Sequence, residues 1–385
     1  MSLEGRPGPH RVLYLSLLPD LSRGGQNSLL NLLGALDRSR VQPALVTPAE
    51  GALAQACRRR NIPVFIVPWP RSIVRAPGSL PRTLLRLSRV IRAFRPDIIH
   101  ADAPRNAHLA ALVRGRAKLV AHLRVADPDG FSDRLLSWEA DALVAVSRGT
   151  ALRFEGYPEA RKRKLHLIYN AVDIERFHPV EPAEKVKLRE EFTLPIDRPV
   201  VGFIAGFIPM KRHAFLLELW GDVVESAGLA LLALLGRGSE DAIDRLKEII
   251  RRRGIENSVR FLPFVERPER FYPACDLVVL PSGVVDGETE GFPRVVIEAG
   301  ACGVPAVVSD LPGTNEGVDH GRSGLALPPE DSGAWASELS ELLLHPERRE
   351  AMGRAARQYI VEHFSLNRHA EAVMNLYDEL ASGGK

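Results

Sequence analysis

Two doubly wound α/β lobes, each a parallel sheet wrapped by helices, are the fold this sequence predicts. Short β-rich runs alternate with amphipathic stretches along the whole chain, a pattern that needs crossover helices between parallel strands. The pattern is interrupted once, by the two prolines of His178-Pro179-Val180-Glu181-Pro182, and then begins again. The 385 residues exceed one ordinary domain and suffice for two cores. The predicted lobes are therefore 1–178 and 179–365. A final helical segment, 366–385, follows both sheets and is expected to pack back on the first lobe.

In the first lobe the strands read as Val12–Leu18, Ala44–Thr47, Val64–Val67, Ile98–His100, Leu119–His122 and Leu143–Val146. Helical periodicity lies between them at Leu29–Leu36, Leu53–Arg60 and Leu80–Phe94. In the second lobe the strands read as Val200–Ala205, Leu229–Leu235, Val259–Phe264, Leu277–Leu280, Ala306–Val308 and Leu325–Leu327. Its helices read as Asp241–Arg253, Arg294–Ala301 and Ser332–Leu344, and the last helix as Leu366–Leu380. No short-period repeat is present, which excludes solenoids and propellers.

Composition narrows the function classes. Hydrophobic residues make up 45% and charged residues 26%, a globular profile rather than a disordered one. No run approaches the roughly 20 apolar residues of a membrane span, and MSLEGRPGPH lacks the apolar core of a signal peptide. Cys57, Cys275 and Cys302 are odd in number and far apart, so neither a disulfide framework nor a zinc site can be built, and a reducing cytoplasm is expected. The net charge of +3 conceals an asymmetry. Residues 1–178 hold 28 Lys and Arg against 15 Asp and Glu, and the remainder holds 23 against 33. An anionic partner for the first lobe is one reading, and charge attraction between the lobes the other.

Ligands of open parallel sheets bind at the carboxyl ends of strands and at helix N-termini, so the loops there are the candidates. Ser22-Arg23-Gly24-Gly25-Gln26-Asn27 leads into the first helix, and its glycines suit either a phosphate or a tight turn. Neither the GxGxxG nor the GxxxxGK[ST] pattern occurs. The run Val120-Ala121-His122-Leu123-Arg124 puts an imidazole and a cation at the tip of a strand, while His100 reads as structural. In the second lobe Lys211 and Arg212 are adjacent cations after a strand, suited to a diphosphate or to a solvated helix start. Gly236 and Gly238 close another strand. Glu290 precedes a helix, and Glu298 lies within it among Val, Ile and Ala. A carboxylate there must be paired or hydrogen bonded, unless it faces solvent, and it could grip vicinal hydroxyls such as those of ribose. Asp127-Pro128-Asp129 imitates a metal-binding DxD but follows no evident strand.

Taken in order, these segments resemble the retaining glycosyltransferases of the GT-B fold, family 4. The most specific match is Glu290-x7-Glu298 within EGFPRVVIEAGACGVPAVVSD, beginning at Glu290 and including Gly291, Phe292 and Pro293. PDIIH at 96–100, AVS at 145–147, YNAVDIERFHP at 169–179, the Lys211 loop, GRGSE at 236–240 and GTNEGVDHGRSGL at 313–325 support it. The resemblance implies two Rossmann-like lobes facing across a cleft, with a UDP- or GDP-linked sugar mainly on the second and the acceptor mainly on the first. It implies that the Gly25 amide meets the donor phosphate and that His122 lies beside the transferred sugar. Lys211 would neutralise the diphosphate, Glu290 would hold sugar hydroxyls beside Phe292, and Glu298 would hold the ribose. No metal or cofactor is implied. One departure stands out: the family's Arg, about five residues before the Lys, is Gly206 here, which leaves Arg212 as the simplest second cation.

The reading that results is a hexosyl-type glycosyltransferase of surface polysaccharide or glycolipid synthesis. A non-hydrolysing sugar-nucleotide epimerase and a catalytically weak nucleotide-sugar-binding protein are the alternatives. No nucleic-acid motif accompanies the basic lobe. Leu80, Leu84, Leu87, Ile91 and Phe94 form an apolar stripe, with Arg82, Arg86, Arg89 and Arg92 on a neighbouring face. That pattern predicts a helix packed on the first sheet, an anionic membrane surface as partner at the inner face of the cytoplasmic membrane, or both.

Overall fold

A computed structural model describes residues 8–21, 24–69, 77–228, 230–263, 265 and 267–383, with backbone alone for Pro77 and Ala160. The readings made at residues 1–7 and at Ser22, Arg23, Leu229 and Phe264 lie outside the described residues. The chain divides into two compact units, Met1–Asn170 with Leu366–Lys385, and Ala171–Ser365.

The first unit is built on β1 (His10–Leu15), β2 (Val41–Thr47), β3 (Val64–Ile66), β4 (Ile98–Ala101), β5 (Lys118–Leu123), β6 (Ala142–Ala145) and β7 (Leu165–Leu167). They form one parallel sheet in the order β3-β2-β1-β4-β5-β6-β7. The second unit carries β8 (Val200–Ile204), β9 (Leu231–Leu235), β10 (Val259–Leu262), β11 (Leu277–Leu280), β12 (Ala306–Ser309) and β13 (Gly324–Leu327). These are also all parallel, in the order β10-β9-β8-β11-β12-β13. Each sheet thus grows one way, returns to its first strand and grows the other way, with the reversal at β1/β4 and at β8/β11. The central strands are buried on both faces, as their continuous Val, Leu, Ile and Ala runs require.

Helices Gly24–Ala35, Ala52–Arg59 and Leu366–Ser382 contribute to one apolar cluster of the first sheet, with Leu29, Leu33, Leu53, Val373 and Tyr377. Helices Leu80–Phe94, Pro104–Ala111 and Gly130–Glu139 contribute to another, with Leu87, Ile91, Leu109 and Leu136. The stripe of Leu80–Phe94 therefore packs on the sheet, and Arg82, Arg86, Arg89 and Arg92 are exposed. In the second unit Phe203, Leu217, Trp220, Leu234, Val279, Leu325 and Trp335 share one core.

Three expectations are corrected. The domain boundary falls at Asn170/Ala171 rather than 178/179. Residues before the prolines belong to the second unit: Val172 N donates to Phe364 O at 2.9 Å, and the Arg357 guanidinium donates to Phe177 O at 2.8 Å. Strand β7 follows Arg161-Lys162-Arg163-Lys164, whose charge hid a three-residue edge strand. Helices Pro104–Ala111, Gly130–Glu139, Pro182–Glu191 and Pro346–His363 were also not anticipated. Three of them start with proline in the first turn, where its missing N–H costs nothing.

The last helix, Leu366–Ser382, returns to the first sheet. Val373, Met374, Leu376 and Tyr377 are buried there, and Arg40 donates to Glu371 at 2.8 Å and to Asp378 at 2.7 Å. This packing encloses His100, His122 and His369. Burial, with the Arg124 charge nearby, holds His100 neutral down to about pH 3, His369 down to about pH 4, and His122 well below its ordinary range. In the second unit His213 is likewise depressed to about 3 by burial and then by Lys211. Once unfolded, each imidazole titrates near its usual value of about 6.5. The unfolded chain therefore binds more protons, and stability is complete above pH 6.5 and lost as pH falls toward 3–4. The expected slope approaches about 1.4 kcal/mol per pH unit for each such histidine. Urea unfolding between pH 7.5 and 5 reads it, ahead of most carboxylate titration; a midpoint that stays level across that interval would refute the account.

Candidate active site

The side chains with chemical potential gather where each sheet reverses. At the β1/β4 reversal the Asp102 carboxylate, 3% exposed, is bracketed by four donors. Leu17 N and Asn106 Nδ2 reach Oδ1 at 3.0 and 3.1 Å, and Ser16 Oγ and Gln26 Nε2 reach Oδ2 at 3.1 and 3.2 Å. Burial still raises its pKa, against the Arg124 charge and those bonds. The bracket ends β1 at Leu15, three residues before the expected end, and ties the loop after β1 to the first turn of helix Gly24–Ala35.

That helix opens on Gly24, which is exposed, and Gly25, which is half-buried. A Cβ on Gly25 would lie 3.1 Å from Arg124 Cδ, so the missing side chain lets the arginine stem cross the turn. Arg124 extends from the end of β5 and donates to Asn170 Oδ1 at 3.4 Å. His122 lies on β5 itself, 1% exposed, with Nδ1 3.1 Å from His100 Nε2. The first unit thus brings Gly25, Arg124, Asp102 and the histidine pair to one sheet edge. Asp129 is elsewhere: it caps helix Gly130–Glu139, accepting from Ser132 N at 3.1 Å.

In the second unit β8 leads through a short turn, Pro209–Lys211, into helix His213–Ala227. Gly283 N, just past β11, donates to Met210 O at 2.9 Å and joins the two loops of the reversal. Across that junction Lys211 is ion-paired with Glu290, whose Oε1 also accepts from Ser282 Oγ at 2.7 Å. Glu290 is 8% exposed, and a buried carboxylate needs these partners. Arg212 takes a left-handed backbone with φ 55° and turns away to Pro329 O at 2.6 Å and Glu330 Oε2 at 3.0 Å. Its guanidinium also stacks on Phe215 at 4.3 Å. A Cβ on Gly283 would come within 2.5 Å of Arg212 Cδ, so glycine makes that course possible.

Gly238 lies against Phe207: a Cβ there would approach Phe207 Cβ to 2.6 Å. Beyond it Ser239 caps helix Glu240–Arg253. Gly291, Phe292 and Pro293 are buried ahead of helix Arg294–Ala301, and Phe292 packs on Phe364 with ring centroids 5.4 Å apart. Glu298, 6% exposed, is neither solvent-facing nor unpaired. Tyr272 donates to its Oε2 at 2.7 Å, and Arg294 pairs with Oε1 at 2.7 Å. Burial and the Glu298 charge push the Tyr272 phenol well above its usual range, so it remains a donor. Each carboxylate oxygen keeps a further acceptor position for a ligand hydroxyl.

The second unit therefore unites Lys211 with Glu290 and holds Glu298 on the adjoining helix. Sequence reasoning missed Asp102, Ser282, Tyr272 and Arg294. Asp102 was findable as the first charge after an apolar strand at a sheet reversal; the others follow only from packing. Among the described residues no three His, Cys, Asp or Glu side chains gather as metal ligands, and no helix is long and apolar enough to cross a membrane.

Comparison with known proteins gives this arrangement its relatives. Residues 22–176 match the model of Glycosyltransferase Family 4, and residues 184–359 that of Glycosyl transferases group 1. D-inositol 3-phosphate glycosyltransferase of Corynebacterium jeikeium is 29% identical over 288 residues, 72% of this chain and 67% of that protein. Among relatives of that name the match spans 52% to 67% of their own length. GDP-mannose-dependent monoacylated alpha-(1-6)-phosphatidylinositol monomannoside mannosyltransferase of Corynebacterium glutamicum is 27% identical over 329 residues, 81% of this chain and 83% of that one. In fold, Anabaena HepE in complex with UDP superposes with a TM-score of 0.81 at 21% identity, covering 96% of this chain and 100% of that chain. With both its lobes matched in order, the chain belongs to the GT-B glycosyltransferases, family 4 and group 1.

Proposed function

We propose that this glycosyltransferase is a retaining enzyme that moves a sugar from a nucleotide-diphosphate donor to a hydroxyl of a saccharide or lipid-linked saccharide. Surface polysaccharide or glycolipid synthesis is the setting this reading favours. The observation that carries it is the Lys211–Glu290 pair at the β8/β11 reversal, the position where doubly wound sheets take ligands. As the sugar–phosphate bond breaks, negative charge grows on the diphosphate and positive charge on the anomeric carbon. Lys211 offsets the first, while Glu290 holds sugar hydroxyls and Glu298 the ribose. No described side chain is needed as a covalent nucleophile: the acceptor oxygen attacks on the face the diphosphate leaves, and its proton passes to the departing phosphate. That course retains the anomeric configuration. The UDP complex of HepE supports a nucleotide donor, and the inositol-phosphate and phosphatidylinositol relatives support a phosphorylated or lipid-linked acceptor.

Lys211→Ala is expected to lower kcat roughly 10²–10³-fold, as loss of one charge-stabilising donor does elsewhere. Glu298→Ala should instead abolish the thermal stabilisation by UDP or GDP, worth about 2.7 kcal/mol at 100 times Kd. Near-wild-type behaviour of both variants would end the donor-site assignment. The reaction is expected to proceed without a divalent cation, since the cations near the diphosphate are side chains. Undiminished turnover in excess EDTA is the supporting result; loss in EDTA with recovery on Mn²⁺ or Mg²⁺ would reverse it.

The same reading places the enzyme at an anionic membrane surface through its first unit. Arg82, Arg86, Arg89 and Arg92 form an exposed ridge, and Phe131 and Trp138, 83% and 66% exposed, lie on a helix that packs into the same cluster. The Arg161 guanidinium covers the Trp138 ring at 4.1 Å. Each cation near such a surface contributes about 1 kcal/mol. Co-sedimentation with anionic liposomes should weaken with salt and on replacing Arg82, Arg86 and Arg89 by Ser. A protein that ignores anionic liposomes at low salt acts instead on a soluble phosphorylated or small-molecule acceptor.

A further inference from the structure

Four buried groups form one hydrogen-bonded chain through the first sheet. Tyr14 Oη lies 2.8 Å from Tyr377 Oη, Tyr377 Oη 2.6 Å from His100 Nδ1, and His100 Nε2 3.1 Å from His122 Nδ1. None of the four is more than 2% exposed. The two ends differ. Tyr14 sits in an apolar cluster with Val12, Leu33 and Leu45. His122 is at the carboxyl end of β5, the edge that carries Gly25 and Arg124, and its Nε2 is buried with no hydrogen-bond partner.

The protons of this chain can be counted. Both imidazoles are neutral, because burial and the facing Arg124 charge oppose a second proton on either. His369, the other imidazole facing them, bonds through Nδ1 to Tyr169 O at 2.6 Å and is outside the chain. Two phenols and two neutral imidazoles carry one exchangeable proton each, and three bonds use three of the four. The fourth proton must sit on His122 Nε2 or on a tyrosine. On Tyr14 it would point into an apolar cluster whose nearby charge, the Arg38 guanidinium, is itself a donor and cannot accept it. On Tyr377 it would require that hydroxyl to accept from both sides and donate to nothing. On His122 Nε2 it lies at the carboxyl edge of the sheet that carries Gly25 and Arg124, where an oxygen of a bound ligand would satisfy it.

We infer that the chain runs from Tyr14 to His122, so that His122 offers its Nε2–H as a donor to an oxygen of the bound ligand, with Tyr14, Tyr377 and His100 as the positioning residues that fix this tautomer. His122 then neither removes a proton from the acceptor nor attacks the anomeric carbon; it selects for an oxygen lone pair, on the sugar or on the phosphate. Only the identity of that ligand rests on the glycosyl-transfer reading, since the tautomer belongs to the protein alone.

Imidazole nitrogen NMR on full-length protein labelled with ¹⁵N-histidine tests it, with His122 assigned by the signal lost in His122→Gln. The expected spectrum of the free protein has His122 protonated at Nε2 and bare at Nδ1; a proton on Nδ1 overturns the inference. Tyr377→Phe keeps the ring and removes the directing hydroxyl, and is expected to convert His122 to a tautomer mixture. It should lower kcat/KM by roughly 10- to 100-fold, the cost typical of losing a partner that orients a histidine. An unchanged tautomer with only a lower Tm would leave the tyrosine structural and refute its positioning role. Among ligands, movement of the Nε2–H signal by UDP or GDP alone points to a phosphate oxygen, and movement only by UDP-glucose or GDP-mannose to a sugar oxygen. A signal unmoved by a nucleotide sugar that binds overturns the ligand contact. If none of the four stabilises the protein, the glycosyl-transfer reading fails while the tautomer stands.

Discussion

Parallel strands cannot be joined by hairpins, and from that constraint most of this structure follows. Every strand must return through a crossover to the edge where its neighbour began, so all carboxyl ends of a sheet face one way. The order β3-β2-β1-β4-β5-β6-β7 adds a reversal, at which the loops after β1 and β4 part in opposite directions. The second sheet repeats this at β8 and β11. Something must hold each pair of diverging loops. In the first unit it is Asp102, gathering Ser16, Leu17, Gln26 and Asn106; in the second it is the Gly283–Met210 backbone bond with the Lys211–Glu290 pair beside it. The chemistry is located where the topology leaves loops to be tied.

The two solutions differ in physical character. Asp102 has two donors on each oxygen and is spent on structure, which is why a buried carboxylate with a raised pKa at this edge does not read as a base. Among the described residues Glu290 holds Lys211 and Ser282, and Lys211 has a compact charge on a flexible stem that can turn to a stronger anion. An ion pair of this kind keeps both groups charged and partly desolvated before a ligand arrives. A diphosphate could then take the lysine while hydroxyls take the carboxylate, so neither charge is left buried alone. Arg212 is differently placed. Its bonds to Pro329 and Glu330 and its stacking on Phe215 make it a brace for the loop, and a phosphate would have to draw it from three contacts.

What was legible in the sequence follows the same division. Strands such as Leu277–Leu280 and helices such as Leu80–Phe94 and Arg294–Ala301 were readable to the residue, because burial on a pleated or helical face imposes a period on apolar residues. Strand β7 was not, since an edge strand of three residues needs no such run. The boundary at Asn170 was displaced because prolines mark where a pattern breaks, whereas a domain ends where packing changes partner. Glu298 shows both sides at once. Its burial was readable from Val, Ile and Ala around it, but Tyr272 lies 26 positions away and no local pattern announces it. Helices opening on proline at 104, 182 and 346 were missed because proline was weighed as a breaker rather than as a first-turn residue.

Net charge proved a guide to surface rather than to site. The first half of the chain carries the basic excess, yet the groups gathered around Asp102 and Arg124 at its sheet edge include two neutral imidazoles, two glycines and a carboxylate held by four donors. Its cations are spread over helix faces, as at Arg82, Arg86, Arg89 and Arg92. The acidic second half holds Lys211 where the sheet reverses. A charge total is dominated by exposed side chains, whose mutual effects are screened within roughly 10 Å of water and salt. A buried site is set by a few groups that have lost that screening, and there a single lysine or one hydrogen-bond direction outweighs the balance of the whole lobe. The long-range field of the basic unit can gather anionic surfaces or substrates. Which atoms then react is decided by neutral hydrogen bonding and one compensated ion pair, for which charge counting has no signal.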